Sequence, residues 1–285
     1  MMCIVVFLLS CKKDDVENPI TPEIPNKPTP LPVPDGYIIK NAVTDVDGNV
    51  YDAAKIGDKV WMNQNLRTTH YANGDLIPLE DGYTNKLTPG CRYVPNKFDI
   101  ETYGYLYDWA SLMHGAQSSN TNPSGVQGVC PDGWHVPSAV EWLELVNYVS
   151  SREEYVCKDS LGHNSDDTGN KYIAKALSAV EGWGTSSVSC APGNTETGVN
   201  NATGFSALPA GAFMYYQKST WHNSGLEAFF WSSTENSAGK VHLCCIHKHF
   251  PYVFRPLYPG GAHEKGEAYS VRCVRNEKYR SRAIK

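Results

Sequence analysis

The sequence predicts a mixed α+β domain, and three observations carry that prediction. Gly (24), Pro (18), Tyr (17) and Trp (7) are abundant while charged residues make up only 19% of 285 residues, a balance that favours strands, turns and irregular connections over long amphipathic helices. Strand-like runs are separated by tight-turn residues. One segment carries a complete helix-start signal. An apolar fraction of 41% in a chain of this length supports a packed core. The 25 Lys+Arg against 30 Asp+Glu give a formal net charge of -5, which offers no basic footprint for a phosphate backbone. Helix bundles, coiled coils and nucleic-acid partners are excluded on these grounds.

Residues 1–10 form an apolar run too short to cross a bilayer as a helix, and they lead directly into Cys11. Leu8-Leu9-Ser10-Cys11 resembles the lipobox of bacterial lipoproteins, in which the peptide is cut before the cysteine and that cysteine carries the lipid. Residues 1–10 are therefore expected to be a signal peptide, with the membrane as a partner through the lipid on Cys11. The following Lys12-Lys13-Asp14-Asp15 looks like the acidic signals that place some Bacteroidetes lipoproteins on the outer face of the outer membrane. Seven prolines between Pro19 and Pro34 favour extended polyproline II at roughly 3.1 Å per residue. Residues 11–36 read as a tether, residues 37–276 as the folded domain and residues 277–285 as a solvated basic tail.

Within the domain, residues 49–56 and 59–66 read as two strands joined by a hairpin turn at Gly57-Asp58. Just before them, Asp45-Val46-Asp47-Gly48-Asn49 spaces oxygen ligands as a calcium loop does. Val50 and Ile56 stand where an EF-hand needs Gly and a bidentate Glu, so a hydrogen-bonded turn is expected instead. Leu106, Trp109, Ala110 and Met113 recur at helical spacing and predict a short helix ending at Gly115. After Pro137, Ser138-x-x-Glu141 is a capping box, with Trp142, Leu145, Val146 and Val149 as the apolar stripe behind it. That assignment gives Glu141 a structural duty in place of a catalytic one. A third helix is expected over residues 172–179, through Ile173 and Leu177. Strands are expected at 229–233, 240–249 and 269–274, joined by Gly/Pro-rich connections such as residues 256–261.

Six ordered segments carry a family resemblance. They are Asp47-Gly-Asn-Val-Tyr-Asp52 running on through Ile56 to Leu66, Tyr103-Gly-Tyr-Leu-Tyr-Asp-Trp109, Cys130-Pro-Asp-Gly-Trp-His-Val-Pro-Ser-Ala-Val-Glu-Trp142, Gly204-Phe-Ser-Ala-Leu-Pro-Ala-Gly211, Phe230-Trp-Ser-Ser-Thr-Glu235 and Ser270-Val-Arg-Cys-Val274. In that order, over residues 43–276, they resemble the Fibrobacter succinogenes major paralogous domain of Bacteroidetes surface lipoproteins. The resemblance implies a fold similar to C-type-lectin-like and formylglycine-generating-enzyme-like domains: a twisted, mainly antiparallel sheet with two or three short helices and long loops. It also implies a disulfide between Cys130 and Cys273, whose positions resemble those bridged in C-type-lectin-like domains. Of nine cysteines, removal of Cys3 with the signal and lipidation of Cys11 leave seven, so at least one thiol is unpaired within the domain.

Two function classes follow. The first is a non-catalytic recognition or adhesion domain at the cell surface, binding glycan or a partner protein. Trp221, Trp231, Tyr215, Tyr216 and Tyr252 are its stacking candidates, and Glu235 and Asn236 its polar ones. The Glu-Pro-Asn or Gln-Pro-Asp and Trp-Asn-Asp motifs of calcium-dependent lectins do not occur, so calcium-dependent sugar binding is not expected. The alternatives are a formylglycine-generating-enzyme-like metal-dependent oxidase and a structural component of a surface appendage. The oxidase reading rests on the likeness of Ser270-Val-Arg-Cys-Val-Arg275 to that family's ending. Adjacent Cys244 and Cys245 face opposite sides of a strand and make a poor copper pair, and no nucleophile elbow, phosphate loop or His-Glu-x-x-His helix occurs. Cys245, His247 and His249 would share one strand face, but a zinc site needs a fourth ligand that the sequence does not supply. No metal or cofactor is expected, and His135 is expected to be structural.

Overall fold

The computed structural model describes residues 35–80, 89–95, 99–198, 200–214, 220–254, 256 and 262–276. The expected signal peptide, Cys11, nearly all of the tether, the basic tail, Tyr215 and Tyr216 lie outside these residues.

The chain enters through β1 (Ile38–Thr44), then forms the predicted hairpin of β2 (Val50–Ile56) and β3 (Lys59–Met62). Gly57 supplies the left-handed φ of 61° that the tight turn requires. The short strands β4 (Leu79–Glu80) and β5 (Arg92–Tyr93) follow, then α1 (Ile100–Tyr103), β6 (Leu106–Asp108) and α2 (Trp109–Met113). The expected helix through Leu106 is corrected here. The Asp108 side chain accepts the Ser111 N–H and caps the helix, so residues before it run extended into a strand. The helix is capped at its C-terminus by His114 in the left-handed region, and Gly115 follows with positive φ as well.

After β7 (Trp134–His135) comes α3 (Ala139–Ser150), which starts at Ser138 with both arms of the predicted capping box formed. Its buried face is the predicted stripe of Trp142, Leu145, Val146 and Val149. The next helix, α4 (Ala174–Leu177), is a single turn inside the expected span. Then come β8 (Ala212–Met214), β9 (Thr220–His222), β10 (Glu227–Glu235), β11 (Val241–His247), β12 (Ala262–His263), β13 (Ala268–Tyr269) and β14 (Val274–Arg275). The expected strand over 269–274 is thus two short strands in different sheets, with residues 270–273 crossing between them.

Among the described residues three sheets result, with orders β1-β2-β3-β14-β7, β10-β11-β12 and β4-β5-β6-β13-β8-β9. All strand pairs are antiparallel except β4 with β5. The architecture is the α+β class predicted, with four short α-helices among the described residues. The central pair β10–β11 is buried on both faces. Phe229, Trp231 and Leu243 enter one apolar core, while Phe230, Cys244 and Ile246 enter a second under α3. Strand alternation separates the two sets, which is why this segment reads as an almost continuous apolar run. In the second core Trp61 and Trp142 pack with ring centroids 4.7 Å apart, and Trp142 with Phe230 at 5.6 Å. Each such ring contributes roughly 1.5–3 kcal/mol of burial.

Long connections are ordered by a repeated five-residue turn at 45–49, 159–163, 166–170 and 236–240. In each, the glycine at the fourth place has positive φ and donates its N–H to the first residue's carbonyl. The first residue, Asp or Asn, accepts further N–H groups with its side chain. Asp45 spends its carboxylate on the N–H groups of Asp47 and Asn49, the Asn49 amide and the Tyr51 hydroxyl. This is the hydrogen-bonded turn that was expected.

Two disulfides staple the domain. Cys130–Cys273 spans 143 residues and joins the loop before β7 to the strand-crossing segment before β14. Cys157–Cys190 spans 33 residues around α4. Among the described residues Cys91, Cys244 and Cys245 remain free. Replacing Cys130 and Cys273 together by Ala is expected to lower stability by about 2–5 kcal/mol in urea unfolding, because the bond closes a long loop in the unfolded chain. An unchanged midpoint would show that the bond constrains nothing.

Candidate functional site

The most densely connected polar group is built on the capped helix. Glu141 is fully buried. Its carboxylate accepts from the Ser138 N–H at 3.0 Å, the Ser124 N–H at 3.1 Å, His135 Nε2 at 2.9 Å and Lys59 Nζ at 2.9 Å. The other nitrogen of His135 faces Asn276 Oδ1 at 2.8 Å, so both ring nitrogens meet oxygen acceptors. Burial alone would raise the Glu141 carboxyl, but the His135 hydrogen bond and charge, the Ser138 N–H and Lys59 together hold it below the ordinary 4.5. The group therefore locks α3 onto the first sheet.

A second buried charge, Arg272, lies in the crossing segment. Its guanidinium donates to Asn65 Oδ1 at 2.7 Å and to the carbonyls of Met62 at 3.0 Å, Phe205 at 2.6 Å and Ser206 at 2.7 Å. The rings of Phe205 and Phe230 cover it. Burial draws its pKa down to about 9, which leaves it charged at neutral pH. Sequence reasoning did not single it out, although a lone Arg among apolar strand residues was a visible signal.

Among the described residues, the candidates that the sequence offered for a binding surface have separate surroundings. Trp231 is 1% exposed, donates its indole N–H to the Tyr107 carbonyl and packs against Trp109 and Tyr269, so it is core and has no face for a ligand. Glu235 pairs with Lys265. Asn236 caps the 236–240 turn with its side chain. Trp221 sits on β9 opposite Phe213. Tyr252, half-buried, lies among Phe250 and Phe254.

The His/Cys strand divides as alternation requires. Cys244 enters the core under α3 and Cys245 packs against the other, and burial pushes both thiols up, away from the thiolate form that copper or zinc binds. His247 lies 3.8 Å from Glu227 and accepts the His249 N–H, while the His249 ring meets Ser186 beyond the strand end. Among the described residues no group of three His, Cys, Asp or Glu side chains has the arrangement of a metal site.

Tyr252 contributes instead to a cleft of about 270 Å³ between the C-terminal end of α3 and the 166–170 turn. Val146 and Ile173 form its apolar floor, and Asn147, Ser150, Ser151, Asn170 and Lys171 its polar walls. Part of the wall is held in place: Asn170 donates to Asp166 and Thr168, and Lys171 to Asn164. One aromatic ring beside amides, hydroxyls and an ammonium suits a small polar ligand with an apolar face. Its residues come from distant stretches of sequence, so of them only Tyr252 was named beforehand as a binding candidate.

The Glu141 network makes a definite forecast. Glu141→Gln is expected to cost about 3–5 kcal/mol, since it removes the carboxylate that the buried His135 ring and the partly buried Lys59 amine share. Because the folded carboxyl lies below 4.5, its stabilising contribution is complete above that pH and is lost as pH falls through the lower folded value. Urea unfolding from pH 7 to pH 3 should accordingly show a shallower acid decline in the variant. Parallel pH profiles would contradict the assignment.

The profile of the Fibrobacter succinogenes major domain matches residues 54–275. No curated protein and no solved structure matches the chain.

Proposed function

From the premise that the chain belongs to the Fibrobacter succinogenes major domain family, we propose that it is a lipid-anchored, non-catalytic recognition domain on the cell surface that binds glycan. The observation that carries this reading is the cleft beside Tyr252, where a half-buried ring, amides and hydroxyls converge over an apolar floor. A pyranose has the complementary character, with an apolar face for the ring and equatorial hydroxyls for the amides. A partner protein presenting a similar small polar group is the second occupant this chemistry admits.

The address is supported independently. Two disulfides favour an oxidising compartment. Leu8-Leu9-Ser10-Cys11 and the proline-rich stretch after it fit an outer-membrane lipoprotein held off the membrane by a tether. The non-catalytic part is supported by the partners of two buried ionisable side chains: His135 meets Asn276 and Glu141, and Arg272 donates to backbone carbonyls and the Asn65 amide.

A glycan and surface-protein array probed with the full chain tests the reading. We expect binding that Tyr252→Ala abolishes while near-ultraviolet circular dichroism stays unchanged, and membrane release without loss of binding in Cys11→Ala. Binding indifferent to Tyr252 would remove the cleft as the site. Copper-dependent turnover of a cysteine-containing peptide would overturn the non-catalytic assignment.

A further inference from the structure

Lys59, Asn122 and Glu141 meet in a way that structural capping alone does not require. Lys59 Nζ lies 2.7 Å from Asn122 Oδ1 and 2.9 Å from Glu141 Oε1, so one amine touches both a primary amide and a buried carboxylate. Asn122 Nδ2 donates to Glu144 Oε2 at 2.8 Å, which fixes the orientation of the amide. The Lys59 side chain is only 16% exposed and Glu141 is not exposed at all. Asn122 itself sits at the solvent edge of this group, which gives a departing small molecule an exit.

We propose that these three residues form an intramolecular isopeptide bond between Lys59 and Asn122, with Glu141 as the proton carrier. The Lys59 ammonium gives one proton to Glu141, and the resulting amine attacks Asn122 Cγ to form the new C–N bond. A second amine proton moves to Nδ2, the Cγ–Nδ2 bond breaks, and ammonia leaves. The ammonia takes the proton held on Glu141, so ammonium is released and the carboxylate is restored. No oxidant, reductant or cofactor enters the balance. A partly buried amine already hydrogen-bonded to the oxygen of its target amide supplies the proximity such a slow condensation needs.

The bond would tie the β2–β3 hairpin to the loop before β7, across 63 residues that neither disulfide encloses in the same way. Unlike a disulfide it resists thiol reductants, a property that suits an exported domain. The proposal does not depend on the glycan reading.

Mass spectrometry of the full chain after reduction decides it. The expected result is an intact mass lighter by one ammonia and a branched tryptic peptide joining Lys59 to Asn122, with trypsin unable to cut after Lys59. Lys59→Arg and Asn122→Ala should each restore the full mass. Because Glu141→Gln also removes part of a helix cap, Asn122→Ala, which alters only a solvent-edge side chain, is the decisive variant. An unshifted mass with cleavage after Lys59 would overturn the proposal. So would an ammonia loss confined to Asn73-Gly74, the signature of a succinimide with no branched peptide. A branched peptide that still forms in folded Glu141→Gln would overturn the role given to Glu141.

Discussion

The fold is organised around a cation that has no counter-ion. Arg272 is buried to 1% and its hydrogen-bond partners are oxygens of the chain itself: three backbone carbonyls and the Asn65 amide. A guanidinium withdrawn from water is tolerated only when its donors are matched, since an unmatched buried donor costs about 1–3 kcal/mol and more if charged. Those acceptors come from the end of β3, from the loop after it and from residues 205–206. Arg272 therefore sets where they meet. Lys175 repeats the device on a smaller scale, with its buried ammonium donating to the carbonyls of Asn194 and Gly198.

The segment around Arg272 carries the rest of the assembly. Along residues 270–273, backbone bonds run from Met62 to Cys273, from Leu66 to Val271 and from Trp231 to Ser270. The same four residues include Cys273, bridged to Cys130, and lead into β14, which pairs with β3 and β7. β7 presents His135, which meets Glu141 at the start of α3. One short crossing thus fixes the first sheet, the disulfide and the helix together. Loops anchored to such a frame can hold the Tyr252 cleft open without helping to stabilise it.

What was legible in the sequence was local. Ser138-x-x-Glu141 and the stripe behind it named α3, and Gly57-Asp58 named the hairpin, because the interacting groups are neighbours in the chain. The Leu106 helix failed because Asp108 caps, and a cap competes with periodicity in a way that spacing alone does not reveal. The strand over 269–274 failed because its residues serve two sheets. The Cys130–Cys273 bridge came from family resemblance. The Arg272 cradle was hidden because its partners lie 66 to 210 residues away, and the cleft was hidden for the same reason. Trp231 misled because a tryptophan reads alike in a core and in a site.

The most direct measurement is the unfolding free energy of Arg272→Lys, with the Cys130–Cys273 bond verified as formed. A lysine keeps the charge but cannot aim donors at four separated oxygens. The account predicts a loss of about 2–4 kcal/mol, from acceptors left unmatched in the interior. A change within about 0.5 kcal/mol, the range of an ordinary surface substitution, would contradict it.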